Sequence, residues 1–411
     1  MLAVLRRRDF GLLWLAGLVS VAGDWVLMTA LPYVVYVRTG SVLATAGMVA
    51  ASLVPSMLLT SFAGVFVDRW DRRRLLVVTN LLQALAVVAL LLVDAGSLWV
   101  VYVVAAAQSA VASFSQPAES ALLPSLVPPE DLVPANALNV LNNQVGRLVG
   151  TPLGAVLLGL GGLPVVVVVD AATFLAAAGL VAAMDGRDAP VSTASADAAT
   201  ATARFWREWL DGLRVVRDDR SIAVLFVVFG LMTFGGTMLD PLFVPWVRDV
   251  LGQGVWAIAL LTTTSSLAGI AGSVVVGSLG AGLTPRALIG WGSLLAGLLL
   301  VAKFNLPLLW VAVALSAVGG ITSVASSVGV ETLAQERTPE RLRGRVFGSL
   351  QASIWLMSLL GAAAGGVIGE LVGLLPALDL ASALVALSGV VVLAAARAPR
   401  SRPRSARTPG W

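Results

Sequence analysis

Ionisable side chains inside long apolar segments are the residues of this sequence that could carry chemistry. Asp24 and Arg147 lie deepest in such segments, and Asp240 lies nearer the end of a third. A charged residue at the centre of a membrane-spanning helix costs roughly 2.5–3.5 kcal/mol on insertion scales, so these residues mark proton or substrate pathways. An ionised carboxylate alone in apolar surroundings is unfavourable, so Asp24 must either pair with a cation or bind a proton.

The residue types that the chain lacks exclude most enzyme chemistry. Among its 411 residues there is no cysteine and no histidine, which removes thiolate ligands, cysteine nucleophiles and the usual general base. No glycine-rich phosphate loop is present, so nothing in the sequence indicates ATP as an energy source. We therefore expect neither an enzyme nor a bound cofactor or metal. An intramembrane enzyme would need two facing acids, which the sequence does not indicate.

The elements that must position these residues are membrane-spanning helices. Hydrophobic residues make up 58% of the chain and charged residues 12%, whereas a soluble domain has roughly 25% charged residues. A helix needs about 20 mostly apolar residues to cross a bilayer, and twelve segments meet this requirement. The predicted spans are residues 10–37, 44–66, 75–93, 98–118, 137–158, 164–184, 222–247, 255–279, 287–302, 306–330, 346–368 and 374–396. The sequence therefore predicts an all-α membrane protein with twelve transmembrane helices.

The two halves of the chain repeat each other. Pro32 matches Pro241 and Asp170 matches Asp379, both at an offset of 209 residues, which indicates an internal duplication. We predict two pseudo-symmetric six-helix bundles, residues 1–185 and 221–396. They are joined by a cytoplasmic linker, residues 186–220, that carries an amphipathic helix, and residues 397–411 form a basic tail. Because Asp170 and Asp379 recur, we expect both to have a structural role near the rim of the spans.

The basic residues orient the chain in the membrane. Of the 27 lysines and arginines, 23 fall on the side that holds both termini and the linker, and 3 fall on the other side. Positively charged loops remain on the cytoplasmic side, so both termini are predicted to be cytoplasmic in a multi-pass protein of the plasma (inner) membrane. The orientation of the chain therefore explains the excess of basic residues, which gives the net charge of +4. The expected partner is therefore the lipid bilayer and not nucleic acid.

The loop between the second and third predicted spans carries a spaced set of one glycine, acids and arginines. Its defining residues are Gly64, Asp68, Arg69, Arg72 and Arg73, in the order G-x-x-x-D-R-x-D-R-R. This spacing resembles the signature loop of the major facilitator superfamily. The resemblance implies the fold of that superfamily and a conformational latch between its halves on the cytoplasmic side. In that latch Asp68 accepts hydrogen bonds from the N-terminal amides of another helix, and the arginines hold the carboxylate.

Further segments resemble the drug-efflux branch of that superfamily, which includes macrolide and enterobactin-type exporters. Residues 23–25 read Gly-Asp-Trp, and the fifth span contains a motif from Gly146 to Gly154 that is similar to an antiporter motif, with Thr151 in place of a glycine. The resemblance implies export of an amphipathic small molecule, drug-like or siderophore-like, in exchange for protons. It also implies alternating access in a monomer that the proton gradient drives without a cofactor.

In this fold the first, fourth, seventh and tenth helices line a central cavity. The candidate cavity residues are Asp24, Met28, Gln108, Arg147, Thr233 and Asp240. Many drug antiporters of the superfamily carry an arginine in the fourth helix; this chain has Gln108 there, and Arg147 is expected to substitute. Asp24 and Arg147 differ in predicted depth by only about 6 Å. We predict that they are the proton-coupling residues, paired when Asp24 is ionised and separated when it is protonated.

Two alternatives remain open at this point. A flippase for lysolipids could use the same fold, take its substrate sideways from a membrane leaflet and need no proton antiport. An ion pair between Asp24 and Arg147 could also be permanent and serve only to hold the first helix to the fifth. Dependence of transport on a proton gradient separates the first alternative from antiport, and the pH dependence of substrate binding separates the second from coupling.

We expect a cysteine introduced at Gly254 to react with an impermeant maleimide added to intact cells, because residue 254 lies in a predicted outer loop. A cysteine introduced at Thr202, in the predicted cytoplasmic linker, should react only after the cells are permeabilised. The chain has no cysteine of its own to compete for the label. Labelling of residue 202 from outside would overturn the predicted orientation.

Overall fold

The computed structural model describes residues 2–67, 70–93, 97–185, 220–279, 282–337 and 343–397. Every regular element in these ranges is helical, as the all-α prediction requires. Three predicted features lie outside the described residues: the amphipathic helix of the linker, the latch residues Asp68 and Arg69, and the tail beyond residue 397.

The described residues form twelve α-helices. Their bounds are α1 Leu2–Leu5, α2 Arg8–Thr39, α3 Val42–Val67, α4 Arg72–Val88, α5 Trp99–Leu126, α6 Leu132–Ala182, α7 Arg220–Pro245, α8 Val255–Leu279, α9 Pro285–Asn305, α10 Leu309–Arg337, α11 Arg343–Leu371 and α12 Leu374–Arg397. A short 3₁₀ turn, Ala89–Leu92, extends α4, another, Pro129–Asp131, precedes α6, and a π-helical turn, Trp246–Val250, extends α7.

Helix α6 is broken in its middle and folds back on itself. Gly161 and Gly162 have non-helical backbone angles, and Gly162 has a φ of 66°, a conformation that glycine adopts without a steric penalty. Both ends of α6 lie beside the start of α2, because Arg7 bonds Asp131 at 2.9 Å and Arg8 donates to the carbonyl oxygen of Ala183 at 3.5 Å. The break therefore separates the fifth predicted span from the sixth.

Ten segments of the described chain are long and apolar enough to cross a membrane. One of them covers both parts of α6, so the fifth and sixth predicted spans appear as one segment. The fourth predicted span, in α5, is not among the ten. The sequence of α5 contains five serines and two glutamines, which lower its hydropathy. The apolar, helical character of the chain is thus established, and the count of twelve spans stays a prediction.

An apolar core joins the first six helices, here called the N-half, to the last six, the C-half. We name the ends of the bundle the Tyr36 end, where α2 ends and α3 begins, and the Arg72 end, where α3 ends and α4 begins. At the Tyr36 end one buried cluster contains Leu242 and Trp246 of the C-half together with Tyr36 and Val42 of the N-half. The halves are therefore packed together at this end.

Glycines let α2 approach the first part of α6 closely. A Cβ atom added at Gly150 would lie 2.7 Å from the Cβ atom of Trp25, and one added at Gly154 would lie 2.9 Å from the Cα atom of Val26. Both distances are shorter than real Cβ contacts, so neither position accepts a larger residue without moving the helices apart. Small residues at such contacts are the usual means by which helices associate in lipid.

The C-half repeats this contact between α7 and α11. A Cβ atom added at Gly361 would lie 3.1 Å from the Cα atom of Phe234, and one at Gly365 would lie 3.1 Å from the carbonyl carbon of Met238. These two glycines follow the pair in α6 at an offset of 211 residues. The same packing device therefore recurs within two residues of the 209-residue offset of the sequence repeat.

We expect Gly150→Val to destabilise the protein by about 1–3 kcal/mol, because the added methyl groups overpack the contact with Trp25. The measurement is thermal unfolding of the purified protein in one detergent. Gly179→Val in the same helix is the matched control, because no atom lies within 4 Å of the Cβ position at Gly179. Equal losses of stability in both variants would show that helix propensity, and not the close contact, is responsible.

Candidate functional site

Asp24 and Met28 lie one turn apart in the middle of α2, on a face that is not fully packed. Asp24 is half-buried, and Met28 is 62% exposed although it lies near the centre of an apolar helix. Asp24 forms no hydrogen bond or ion pair with any described residue. An acid and a flexible apolar side chain thus border the same open face, as a site for an amphipathic molecule requires.

Arg147 contacts two residues, neither of which is Asp24. Its Nη2 atom donates to the hydroxyl oxygen of Ser266 in α8 at 2.9 Å, and its guanidinium carbon lies 5.6 Å from the ring centroid of Trp25. The predicted ion pair with Asp24 is therefore not formed in this structure. The reason is angular: successive residues of a helix point about 100° apart, so Trp25 and not Asp24 faces the first part of α6.

The contact with Ser266 gives Arg147 a position between the halves. Arg147 belongs to the N-half and Ser266 to the C-half, and each lies near the middle of its helix. The Nε atom of Arg147 is buried and has no hydrogen-bond partner in the described chain. The guanidinium thus joins the halves at mid-depth through a single neutral partner, Ser266, while the ring it contacts belongs to its own half.

Asp170 lies behind Asp24, in the second part of α6, and is completely buried. Its Oδ2 atom has no hydrogen-bond partner among the described residues, and its Oδ1 atom receives only a long contact of 3.4 Å from the hydroxyl of Thr173. The charges of Asp24 and Asp170 are close enough to interact. A completely buried carboxyl group without a cation nearby is stable only when it is neutral.

The repeat-equivalent acid Asp379 has a different environment. Its Oδ1 atom accepts a hydrogen bond of 2.7 Å from the amide of Asn305, and the contact is exposed to solvent near the Tyr36 end. A structural role at the rim, which we expected for both acids, therefore fits the geometry of Asp379 and not that of Asp170. The sequence repeat correctly related the two positions, but their surroundings differ.

Three further cavity candidates lie apart from one another. Gln108 in α5 is 9% exposed, and neither atom of its amide has a hydrogen-bond partner in the described chain. Thr233 lines a small cavity between α7 and α11, together with Phe229 and Ile354. Asp240 is exposed and forms no ion pair with a described residue. That these residues line one central cavity stays a prediction.

Two arginines of the predicted latch, Arg72 and Arg73, bind backbone carbonyl groups within the N-half. Arg72 donates to the carbonyl oxygen of Ala121 at 3.0 Å, and the Nε atom of Arg73 donates to that of Val181 at 3.1 Å. Arg73 also bonds the carbonyl oxygen of Ala182, the last residue of α6, where a cation complements the helix dipole. Gly64 lies within α3, as the loop motif requires.

Sequence reasoning missed a group of polar residues at the Tyr36 end. The hydroxyl of Tyr36 donates to Asp249, the guanidinium of Arg248 lies 5.9 Å from the Tyr36 ring centroid, and Glu370 accepts a hydrogen bond from Ser41 at 3.1 Å. Each contact joins the N-half to the C-half. The available signal was weak, because isolated acids at the ends of spans usually face water.

Comparisons with known proteins relate the whole chain to one family. The family model described as Major Facilitator Superfamily matches residues 13–243 and 225–411. The chain is 25% identical to the uncharacterized MFS-type transporter YfiS of Bacillus subtilis (strain 168), over 93% of this chain and 92% of that protein. It is 26% identical to macrolide efflux protein A of Streptococcus pyogenes, over 85% and 86%, and 25% identical to multidrug efflux pump Tap of Mycolicibacterium fortuitum, over 94% and 96%.

A solved structure has the same fold. A bacterial homologue of the iron transporter ferroportin, in its inward-facing state, superposes with a TM-score of 0.76 at 17% identity, over 95% of this chain and 99% of that one. At this level of identity the likeness concerns the fold alone.

We expect Gln108→Leu to leave the stability of the protein unchanged or to raise it by about 1–3 kcal/mol, because it removes a buried amide without protein partners. Asn142→Leu is the control. Asn142 is also buried, and its amide nitrogen donates to the carbonyl oxygen of Trp14 at 2.5 Å although its Oδ1 atom has no partner in the described chain, so its loss should destabilise the contact between α2 and α6. Thermal unfolding measures both. A loss of stability in Gln108→Leu as large as that in Asn142→Leu would contradict this assignment.

Proposed function

Because this chain belongs to the Major Facilitator Superfamily, we propose that it exports amphipathic small molecules from the cytoplasm in exchange for protons. The proposal includes twelve transmembrane helices in two six-helix bundles, with both termini on the cytoplasmic side of the plasma membrane. The proton gradient supplies the energy, and the monomer works by alternating access. The observation that carries the proposal is the position of Asp24, an unpaired acid on the open face of a central helix.

The contacts between the halves support alternating access. Among the described residues they include the buried cluster around Trp246, the polar residues of the Tyr36 end and the bond from Arg147 to Ser266. All of these lie at the Tyr36 end or at mid-depth. In the proposed topology the Tyr36 end faces the outside, so this arrangement corresponds to a transporter that is closed towards the outside.

Efflux is supported by relatives over most of their length. Two of the similar proteins are named as a macrolide efflux protein and a multidrug efflux pump, and this chain covers 86% and 96% of them. The cavity candidates suit an amphipathic molecule with a basic group, because Asp24 and Asp240 form no ion pair with a described residue and Met28 offers an apolar surface. Arg147, the one cation among these candidates, is already engaged by Ser266.

In this proposal Asp24 is the residue that binds the coupled proton, and Arg147, the other residue of the predicted pair, is separated from it in this conformation. Asp170 lies behind Asp24 without a strong hydrogen-bond donor. Two close carboxylates in apolar surroundings repel each other, so the pair retains a proton until a basic substrate or water compensates the charge. In this conformation Arg147 serves the movement of the halves and not the binding of the proton, because its bond to Ser266 holds the halves together.

We expect purified protein in liposomes to transport ethidium, an amphipathic cation, when a pH gradient is imposed and not when the gradient is collapsed. Asp24→Asn should reduce gradient-driven transport at least about tenfold. The same variant should bind ethidium with an affinity that no longer varies between about pH 5 and about pH 9, because the proton-binding group that competes with the substrate is gone.

Asp379→Asn is the matched control, because Asp379 is the repeat-equivalent of Asp170 and bonds Asn305 at the exposed rim. It should leave the rate and the pH profile unchanged. A pH profile of Asp24→Asn that matches the parent's would exclude Asp24 as the coupling residue. Movement of a fluorescent lysolipid between leaflets without a gradient, and no transport of ethidium or a macrolide, would favour the lipid flippase instead.

A further inference from the structure

Glu370, at the last turn of α11, binds the first turn of α3. Its Oε2 atom accepts a hydrogen bond from the hydroxyl of Ser41 at 3.1 Å and another from the backbone amide of Leu43 at 3.2 Å. Ser41 directly precedes α3, and its own hydroxyl oxygen accepts from the amide of Ala44 at 3.2 Å. The carboxylate therefore occupies the N-terminus of a 26-residue helix, where unpaired amides and the helix dipole favour negative charge.

Glycines bring the two helices together at this point. A Cβ atom added at Gly369, the residue before Glu370, would lie 2.9 Å from the Cγ1 atom of Val42, and one added at Gly366 would lie 3.5 Å from the Cα atom of Leu43. A larger residue at position 369 would thus collide with the first residue of α3. The close approach is what allows a short acidic side chain to reach the helix terminus.

A second contact between the halves lies at the same end and has a different origin. Tyr36, near the end of α2, donates to the carboxylate of Asp249, and Arg248 lies over the Tyr36 ring. Asp249 and Arg248 belong to the π-helical turn after α7, where Trp246 is anchored by a hydrogen bond of 3.1 Å to the carbonyl oxygen of Phe304. Two acids of the C-half thus each bind a donor of the N-half.

We propose that Glu370, supported by Asp249, is a latch that holds the Tyr36 end closed. The inference rests on the proposed alternating access. The latch at the Tyr36 end has a predicted counterpart at the other end of α3. There the resemblance of the loop motif implies that Asp68 binds the N-terminus of another helix. In the described part of the chain, the last turn of α11 thus carries an acid that caps the N-terminus of α3. In the proposed cycle, closing the Tyr36 end forms the contact of Glu370, and opening the Arg72 end breaks the predicted contact of Asp68.

The exposure of the contact suits a latch that opens in every cycle. Glu370 is exposed, and both of its hydrogen bonds lie at the surface of the molecule, so water replaces them when the helices separate. The apolar cluster around Trp246 is built mostly from the C-half, so most of its packing is kept whether the Tyr36 end is closed or open. Glu370 and Asp249 therefore select between conformations more than they stabilise the fold.

The test measures distances between spin labels in the full chain, reconstituted in lipid nanodiscs. Introduced cysteines at Leu92 and Leu308 report on the Tyr36 end, and cysteines at Val133 and Leu283 report on the Arg72 end; all four side chains are exposed. Glu370→Gln should raise the population with an open Tyr36 end about tenfold, because a neutral amide loses most of the charge-assisted bonding. The distance at the Arg72 end should shorten in the same molecules.

Ser41→Ala, which removes one donor to Glu370, should shift the same populations in the same direction by a smaller factor. In the Glu370→Gln background it should add less than it does alone, because both changes act on one contact. Asp379→Asn, which removes an acid of the same end that bonds within the C-half, is the control and should leave both distances unchanged. Parent-like distances in Glu370→Gln and in Ser41→Ala would overturn the latch.

The distances do not depend on which molecule is transported. A shifted equilibrium in a protein that transports neither ethidium nor a macrolide would support the latch and contradict the proposed efflux. Gradient-driven efflux in variants with unshifted distances would support efflux and contradict the latch.

Discussion

The close contact of α2 with the first part of α6 is the constraint on which the other features depend. In lipid, apolar surface alone does not hold helices together, so association relies on close packing and on polar contacts. Gly150 and Gly154 bring α6 against Trp25 and Val26, and this fixes the rotation of α2 about its axis. Once Trp25 faces α6, Arg147 meets its ring and Asp24 is turned towards the open face.

The sequence could predict the class of the protein, its family and the positions of most helices. Long apolar segments and the spaced loop from Gly64 to Arg73 carry that information locally, because each depends on residues close together in the chain. The predicted ion pair of Asp24 with Arg147 is not formed in this conformation, because depth along a helix does not determine direction around it; the coupling role of the two residues stays a prediction. Asp170 and Asp379 show the same limit, since a repeat relates positions but not their neighbours.

Contacts that join the halves were the least predictable. Glu370 reaches α3 only because glycines of α11 permit a close crossing, and Asp249 reaches Tyr36 only through a π-helical turn. Neither condition has a signature in hydropathy, since both depend on the packing of segments more than 200 residues apart in sequence. The halves are thus built internally from apolar and glycine contacts, whereas a small number of polar side chains accompany the apolar core between them.

Ser266 is uncharged, and this affects how fast the halves can separate at its contact with Arg147. A carboxylate opposite Arg147 would form a buried ion pair, and breaking such a pair by removing one partner costs about 3–5 kcal/mol. A hydrogen bond from a charged donor to a neutral hydroxyl contributes about 1.5–3 kcal/mol. The Trp25 ring belongs to the same half as Arg147, so it can stay in contact with the guanidinium when the halves part. In the proposed cycle the halves part at this contact, and each 1.36 kcal/mol in a barrier changes a rate tenfold, so a hydroxyl in place of an acid lets this contact open roughly tenfold faster.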